Sequence, residues 1–234
     1  AAVVPILPDL GGNIQFGNSL VSQTELNGIS GANHQIMEIA PFDWGTINKG
    51  HKFDVIIGNP PYVNTEGMHT LLPSAEVEVY KKKYKTSYKQ FDKYFIFIER
   101  AINKIKENGL VCYIVPNKFF KIGAGEKLRS LIAKEGMLIS LDDFGDAQLF
   151  DDKSIYSSII LLSKGKQDTF VYSSVDTANK LWAGEEVSSI ELNSSILNKL
   201  PWRLTTDFEF LTVLQRLDEV SVPITKHAEI FNGI

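Results

Sequence analysis

The chain has 234 residues, of which 44% are hydrophobic, and a formal net charge of −4. This composition excludes an intrinsically disordered chain, and the acidic balance argues against a protein that binds nucleic acid unaided. No run of residues is long and apolar enough to cross a membrane. The four histidines are scattered and indicate no metal site. The single cysteine, Cys112, has no partner for a disulfide, which favours a reducing cytoplasm as the location.

The first quarter of the chain predicts two strands and a stiff loop. Residues 13–17 read as a short strand ending at a Gly-Asn-Ser turn, and residues 21–50 as a long polar loop or a broken helix. The apolar residues 53–57 predict a buried strand. The Asn-Pro-Pro-Tyr sequence at 59–62 follows, and its two prolines fix φ and remove two backbone donors.

Helices and strands alternate further along the chain. Apolar side chains recur at helical spacing from Phe91 to Ile105, and we expect Gly109 to end that helix. Residues 164–172 read as a hairpin that folds its second strand back onto the strand before it. The remaining predicted elements are strands at 110–115, 137–141 and 155–162 and helices at 125–135 and 208–217.

This alternation predicts an α/β fold with a mostly parallel sheet covered on both faces. The hairpin would add an antiparallel strand near one edge of the sheet. Open α/β sheets place their chemistry at the carboxyl ends of parallel strands, so the loop at 59–62 is the predicted site.

The side chains of this loop suit the handling of an aromatic amino group, which is a poor nucleophile because its lone pair is delocalised into the ring. The side-chain oxygen of Asn59 and the carbonyl of Pro60 are two acceptors, one for each N–H, that would localise the lone pair again. Pro61 keeps the loop stiff, and Tyr62 offers a flat face for a base taken out of its duplex. The alternative interpretation is a purely structural Pro-rich turn.

Three sequence blocks occur in the order found in one enzyme family. Asn-Ile-Gln-Phe-Gly-Asn-Ser-Leu at 13–20 precedes Pro-Phe-Asp-Trp at 41–44, which precedes Phe-Asp-Val-Ile-Ile-Gly-Asn-Pro-Pro-Tyr at 53–62. Together they resemble the gamma-class adenine-specific amino-methyltransferases of type IIG restriction-modification enzymes. The resemblance implies a Rossmann-like methyltransferase sheet, S-adenosylmethionine as cofactor, and double-stranded DNA with a flipped adenine as substrate.

The resemblance also implies roles for residues outside the loop. Asn18 and Ser19 match the turn that approaches the adenine of the cofactor. Residues 149–159 resemble motif VIII, so Phe150 is expected to stack on the far side of the flipped base from Tyr62, with Phe144 as the rival candidate. A basic stretch after the loop is a candidate for DNA backbone contact, with a solvated helix face as the alternative: Lys81, Lys82, Lys83 and Lys85.

Two features of the family pattern are absent: the Gly-rich turn and the acidic residue that hold the cofactor. No Gly-rich turn follows a strand before residue 11, so most of the cofactor pocket is expected to lie outside this chain. We therefore expect residues 1–172 to be the catalytic half of a methyltransferase domain truncated at its N-terminus. Residues 173–234 would be a linker and the start of a target-recognition domain, with the remainder of the parent polypeptide as partner.

Other functions stay open on these residues. Relatives with an Asn-Pro-Pro-Tyr loop also methylate protein glutamine or RNA, and the absent cofactor turn is compatible with a non-catalytic DNA-binding or scaffold fragment. The long insertion before the loop, the Pro-Phe-Asp-Trp block and the recognition-domain-like ending favour DNA methylation.

Overall fold

A single mixed sheet organises the protein in a computed structural model, which describes residues 12–47, 50–145, 156–176, 183–222 and 224–229. Six strands lie in the order β1-β2-β4-β3-β5-β6 across the sheet. The strands are β1 (Phe53–Gly58), β2 (Ile105–Pro116), β3 (Leu138–Asp143), β4 (Ser157–Ser163), β5 (Thr169–Ser174) and β6 (Ser188–Asn193).

Six α-helices accompany the sheet in the described ranges: α1 (Ala32–Ile39), α2 (Thr65–Leu71), α3 (Ser74–Lys83), α4 (Lys93–Lys104), α5 (Glu126–Glu135) and α6 (Phe208–Val220). The longest apolar stripe belongs to α4, which packs on β2. Every residue of the predicted stripe is buried: Phe91, Phe95, Ile98, Ala101, Ile102 and Ile105. Within these ranges no helix has the length and apolarity to span a membrane.

The strand directions confirm the predicted α/β class. β1 is parallel to β2, and β3 is parallel to β5. Because β4 is antiparallel to both β2 and β3, the strands β1, β2, β3 and β5 all run the same way. β6 is antiparallel to β5 and forms one edge of the sheet.

The predicted hairpin between β4 and β5 is wrong. β4 pairs with β2 on one side and with β3 on the other, so neither of its edges is free to receive β5. β5 instead adds to the outer edge of β3 in parallel, with Leu141 opposite Tyr172. The boundary predicted between the catalytic half and the linker, at residue 172, consequently falls inside β5. β6, which belongs to the predicted linker region, extends the same sheet.

The predicted end of the helix at Gly109 is also wrong. α4 stops at Lys104, and β2 starts at the next residue. The pairing with β1 shifts register before Leu110, and Asn108 takes a left-handed φ of 60° at this irregularity. Gly109 belongs to the irregularity, since a side chain there would lie 3.1 Å from the Asp54 carbonyl oxygen of β1. It permits close backbone approach within a strand and does not cap a helix.

The strand predicted at residues 13–17 is not formed. The side chains of Ile14 and Phe16 are 72% and 91% exposed, and the segment is irregular. A single parallel bridge joins Asn18 to Pro41. An alternating pattern needs a neighbouring strand to supply its hydrogen bonds, and the described residues provide none beside this segment.

A buried arginine holds the loop that follows β2. Arg129 on α5 is 1% exposed and donates to three backbone carbonyls. Its Nη1 lies 2.6 Å from the Phe119 oxygen and 2.7 Å from the Ile122 oxygen, while Nη2 lies 2.9 Å from the Lys199 oxygen. Trp202 packs beside it, with its ring 6.0 Å from that of Phe119. Lys199 and Trp202, which follow β6 in the chain, therefore help to fix the loop at 117–122.

We expect Gly125→Ala to destabilise the protein. A Cβ at this position would overlap the Phe119 carbonyl oxygen and lie 2.6 Å from Arg129 Nη1. Relieving this overlap must move either the loop or the buried arginine, which costs about 1–3 kcal/mol or more. Gly123→Ala is the matched control, because nothing lies within 4 Å of a Cβ there. Thermal or urea unfolding of both variants measures the difference, and equal stabilities would contradict the packing described for Arg129.

Candidate active site

The Asn-Pro-Pro-Tyr loop lies at the carboxyl end of β1. β1 and β2 are parallel, so the segments that follow them lie at the same edge of the sheet. Asn59 and Pro61 are exposed, Pro60 is buried, and Tyr62 is half-buried. The Asn59 amide is therefore accessible to solvent, while the buried Pro60 and the half-buried Tyr62 hold the loop against the rest of the protein.

Tyr62 is held rigidly by the end of β2. Its hydroxyl donates to the Ile114 carbonyl at 3.0 Å, and its ring meets the ring of Tyr94 edge to face at 6.2 Å. Burial raises the pKa of the Tyr62 phenol to about 12, so the group is neutral at physiological pH. The phenol therefore acts as a fixed flat wall with no role as a base.

An open cavity of about 480 Å³ adjoins this ring. Some of its wall residues lie in and after the Asn-Pro-Pro-Tyr loop in the sequence, and others lie at and just after the end of β2. Tyr62 lines the cavity, whereas Asn59, Pro60 and Pro61 do not. The wall residues are Tyr62, Val63, Asn64, Gly67, Leu71, Asp92, Pro116, Asn117, Lys118 and Tyr156. A volume of this size is typical of small-ligand sites and accommodates one aromatic base.

An ion pair that the sequence analysis missed stands in the cavity wall. Lys118 Nζ lies 2.9 Å from Asp92 Oδ2, and the carboxylate side chain is only 6% exposed. Asp92 directly precedes α4, and Lys118 lies in the turn after β2. The pair joins two segments that are 26 residues apart, and burial of the carboxylate makes the pairing necessary.

The second missed group is Asn117 in the cavity wall, together with Asp143 behind it. Asn117 is 4% exposed and donates its Nδ2 to Asp143 Oδ1 at 2.7 Å. Asp143 ends β3, and its other oxygen accepts from the Tyr172 hydroxyl at 3.3 Å. Since β2, β3 and β5 run in the same direction, their carboxyl ends meet here. The rule that placed the site after β1 could have pointed to Asn117 and Lys118, which follow the next parallel strand.

The second stacking residue predicted for the base, Phe150, lies outside the described residues. Its rival, Phe144, is 1% exposed and does not line the cavity. Tyr156, immediately before β4, lines the cavity and is 54% exposed. It is an aromatic wall residue that the sequence analysis did not single out, although it falls within the block compared with motif VIII.

The turn predicted to touch the cofactor packs against the Pro-Phe-Asp-Trp block. Asn18 Oδ1 accepts from the Leu20 amide at 3.1 Å, within its own turn. The Ser19 carbonyl accepts from Trp44 Nε1 at 2.9 Å and from Arg100 Nε at 3.2 Å. These contacts join the first two sequence blocks into one unit. Neither Asn18 nor Ser19 lines the cavity beside Tyr62.

The four lysines predicted for DNA contact are exposed at and after the end of α3. Lys82 pairs with Glu78 at 2.6 Å, and Lys83 pairs with Glu25 at 3.4 Å. Lys81 Nζ lies 3.1 Å from His69 Nε2. Lys85 makes no ion pair with any carboxylate of the described ranges. Two of the four charges are therefore offset by carboxylates.

The described part of the chain contains no group of three or more His, Cys, Asp or Glu side chains placed to hold a metal ion. The chemistry available at this edge of the sheet consists of amide and carbonyl acceptors, the Lys118–Asp92 ion pair and aromatic faces. Such a set can bind a planar heterocycle and polarise an amino group.

Comparisons with known proteins agree with the three sequence blocks. Residues 13–150 match the family described as the Eco57I restriction-modification methylase. The type II restriction enzyme and methyltransferase RM.Eco57I of Escherichia coli is 39% identical over 233 residues, covering 98% of this chain and 22% of that protein. The type II methyltransferase M.PaeR7I of Pseudomonas aeruginosa is 33% identical over 114 residues, covering 48% of this chain and 19% of that protein.

A solved structure shares the fold. The cryo-electron microscopy structure of a DrdV–DNA complex matches with a TM-score of 0.50 at 18% identity, covering 66% of this chain and 18% of that chain. This chain spans about a fifth of the length of the curated relatives named above. The family match covers more than half of the chain, from the first sequence block to residue 150. This chain belongs to the Eco57I restriction-modification methylase family.

Proposed function

We propose that the chain is the base-binding half of a DNA methyltransferase within a restriction-modification protein. The reaction is transfer of a methyl group from S-adenosylmethionine to the exocyclic amino group of adenine at a specific DNA site. The observation that carries the proposal is the Asn-Pro-Pro-Tyr loop at the carboxyl end of β1, beside a cavity of about 480 Å³ walled by Tyr62.

Asn59 and Pro60 prepare the nucleophile. The Asn59 side-chain oxygen and the Pro60 carbonyl each accept one N–H of the amino group, which turns the nitrogen lone pair away from the ring and toward the methyl donor. These contacts strengthen as positive charge develops on the nitrogen, so they favour the transition state over the bound substrate. Pro61 limits the loop to one conformation, so the geometry is set before the base arrives.

Tyr62 holds the base by one face. An adenine inside a duplex is unreachable, so the base must leave the stack and enter the cavity. The hydroxyl bond of Tyr62 to Ile114 and its contact with Tyr94 keep the ring from turning as the base stacks on it. The proposal places Phe150 on the opposite face, as the motif VIII resemblance implies.

We expect Tyr62→Ala and Phe150→Ala each to weaken binding of the flipped base by about 1–3 kcal/mol, because each removes one stacking face. Tyr62→Phe should retain much of the binding, since the ring stays and only the hydroxyl bond to Ile114 is lost. Fluorescence of 2-aminopurine at the target position of the DNA measures the flip.

Tyr156→Ala is the comparison variant, because this residue also lines the cavity but is 54% exposed. Wild-type flipping by both Tyr62→Ala and Phe150→Ala would rule out the stacking pair. Weaker flipping by Tyr156→Ala and wild-type flipping by Phe150→Ala would assign the second face to Tyr156.

The cofactor supplies the methyl group when it is bound, and the described residues fit only one side of it. Asn18 and Ser19 form the turn assigned to the cofactor adenine, but Asn18 Oδ1 is already engaged with Leu20. No strand of the described ranges pairs with the outer edge of β1, which is a further reason to place the rest of the pocket in other parts of the protein. Val55 and Ile57 on this strand are 48% and 77% exposed, which is unusual for an apolar strand in a completed α/β sheet.

DNA backbone contact is the role we assign to the lysine-rich end of α3. Lys81 and Lys85 are the candidates without a carboxylate partner among the described residues, so binding phosphate would not require them to break an ion pair. Lys82 and Lys83 would first have to leave Glu78 and Glu25. Charge reversal at Lys85 should therefore reduce DNA affinity more than charge reversal at Lys82.

Product analysis tests the proposed function. Duplex DNA incubated with the full-length protein and isotopically labelled S-adenosylmethionine is digested to nucleosides and separated by chromatography. The label is expected in N6-methyladenine. Label in a methylated cytosine would overturn the assignment of DNA adenine. So would transfer to RNA or to the glutamine of a protein substrate, but not to DNA, in parallel incubations with those substrates.

A further inference from the structure

The orientation of the Asn117 amide is fixed by its partner. Asn117 Nδ2 lies 2.7 Å from Asp143 Oδ1. All contacts of that carboxylate come from donors: the Gly145 amide at 3.0 Å, the Tyr172 hydroxyl at 3.3 Å and Lys121 Nζ at 3.8 Å. A carboxylate so surrounded can only accept, so the nitrogen of Asn117 must face it.

One N–H of Asn117 has no acceptor among the described residues. The bond to Asp143 is the one hydrogen bond of this side chain within the described ranges and uses one of its two N–H donors. Asn117 Oδ1 makes no hydrogen bond in these ranges and is not among the buried polar atoms that lack a partner, so the carboxamide group reaches the surface of the cavity that the residue lines. The side chain is nevertheless 4% exposed, which leaves it little freedom to move.

We propose that Asn117 reads the edge of the target base, by donating its free N–H to the ring nitrogen of adenine beside the amino group, N1 or N7. This inference rests on the proposed function. Asn59 and Pro60 accept the two amino hydrogens, so the base still needs a donor for its ring nitrogen. Asparagine paired with the adenine edge is a common means of recognising this base.

The position of Asn117 follows from the sheet. Tyr62 follows β1 and offers a face, whereas Asn117 follows the adjacent parallel strand β2 and lies in the same cavity wall. Asp143 at the end of β3 supports it from behind. Asp143 is thus a positioning residue, and Asn117 is the residue that touches the base.

Single-turnover methylation by the full-length protein tests the contact. The target adenine is replaced by 1-deazaadenine or by 7-deazaadenine, each of which lacks one ring acceptor. One of the two analogues should slow transfer by the unaltered protein about tenfold to a hundredfold, and Asn117→Ala should slow transfer to adenine by a similar factor. Methyl transfer by Asn117→Ala to that analogue should be no slower than transfer by Asn117→Ala to adenine or by the unaltered protein to the analogue.

Ser158→Ala is the matched control. Ser158 is buried, and its Oγ donates to the Val115 carbonyl at 3.2 Å and makes no hydrogen bond to Asn117. Any slowing by this variant should multiply with the slowing by either analogue. Equal melting temperatures of the variants and the unaltered protein show that folding is intact.

The contact would be overturned if, for both analogues, the factor by which Asn117→Ala slows transfer multiplied with the factor by which the analogue slows it. Full activity of Asn117→Ala on adenine would also overturn the contact. If the alanine variant does not fold, Asp143→Asn takes its place, since an amide at 143 no longer forces the Asn117 nitrogen to face it. The same absence of multiplication is then expected, and multiplication would overturn the proposal. Failure of the unaltered protein to methylate adenine would instead refute the proposed function.

Discussion

Asn59→Ala is expected to abolish methyl transfer in the full-length protein and to leave DNA affinity nearly unchanged. The Asn59 oxygen contacts the amino group most strongly in the transition state and contributes little to phosphate contact. Loss of one such prearranged hydrogen-bond partner lowers a reaction rate by about a hundredfold to a thousandfold, and we expect the rate of methyl transfer to fall by at least this factor. Single-turnover methylation and a DNA-binding titration at one fixed salt concentration measure the two quantities.

Asn27→Ala is the control for this substitution. Asn27 is also an exposed asparagine, but it follows the short 3-10 helix at Gln23–Leu26 and is not part of the Asn-Pro-Pro-Tyr loop. Its loss should change neither rate nor affinity. An unchanged single-turnover rate for Asn59→Ala would remove the catalytic role from the loop, while a parallel loss of DNA affinity would show that the side chain acts in binding.

The chain studied by itself should neither methylate DNA nor bind S-adenosylmethionine with useful affinity. Methyltransferases of this kind hold the cofactor through a Gly-rich loop and an acidic residue, and neither occurs in the described residues at the end of a strand beside β1. Their loss should cost several kcal/mol, and about 4 kcal/mol is roughly a thousandfold in affinity. DNA binding should be weak and salt-sensitive, because the net charge is −4 and two of the four predicted lysines are paired with carboxylates.

Calorimetry on the isolated chain and on the full-length protein checks this expectation. The full-length protein should bind the cofactor, and the isolated chain should show no saturable heat in the micromolar range. Micromolar binding by the isolated chain would mean that residues interpreted here as scaffold form the pocket. Sedimentation of the isolated chain provides a second readout, since the exposed edge of β1 favours self-association.

Local chemistry was predictable because it is encoded in short segments. The strand at 53–57, the loop at 59–62 and the stripe of α4 each depend on neighbouring residues, and all three were predicted from periodicity and prolines. The burial predicted for the strand is wrong, since Val55 and Ile57 are exposed. The order of the three sequence blocks was enough to identify the family, which the match over residues 13–150 confirms. The cavity was not predictable, because its wall combines Tyr62, Asp92, Asn117 and Tyr156 from four separate segments.

The sequence by itself determined the α/β class, most strands of the sheet and the family to which the chain belongs, and it located the loop that we propose to carry the amino-group chemistry. Only the tertiary structure decided that β5 pairs with β3, that β2 begins at Ile105 and that Asp143 stands behind Asn117. The physical reason is the distance along the chain over which each kind of interaction acts. Helix and strand preferences act over a few residues, whereas strand partners and the satisfaction of buried polar groups are chosen among residues far apart in the chain.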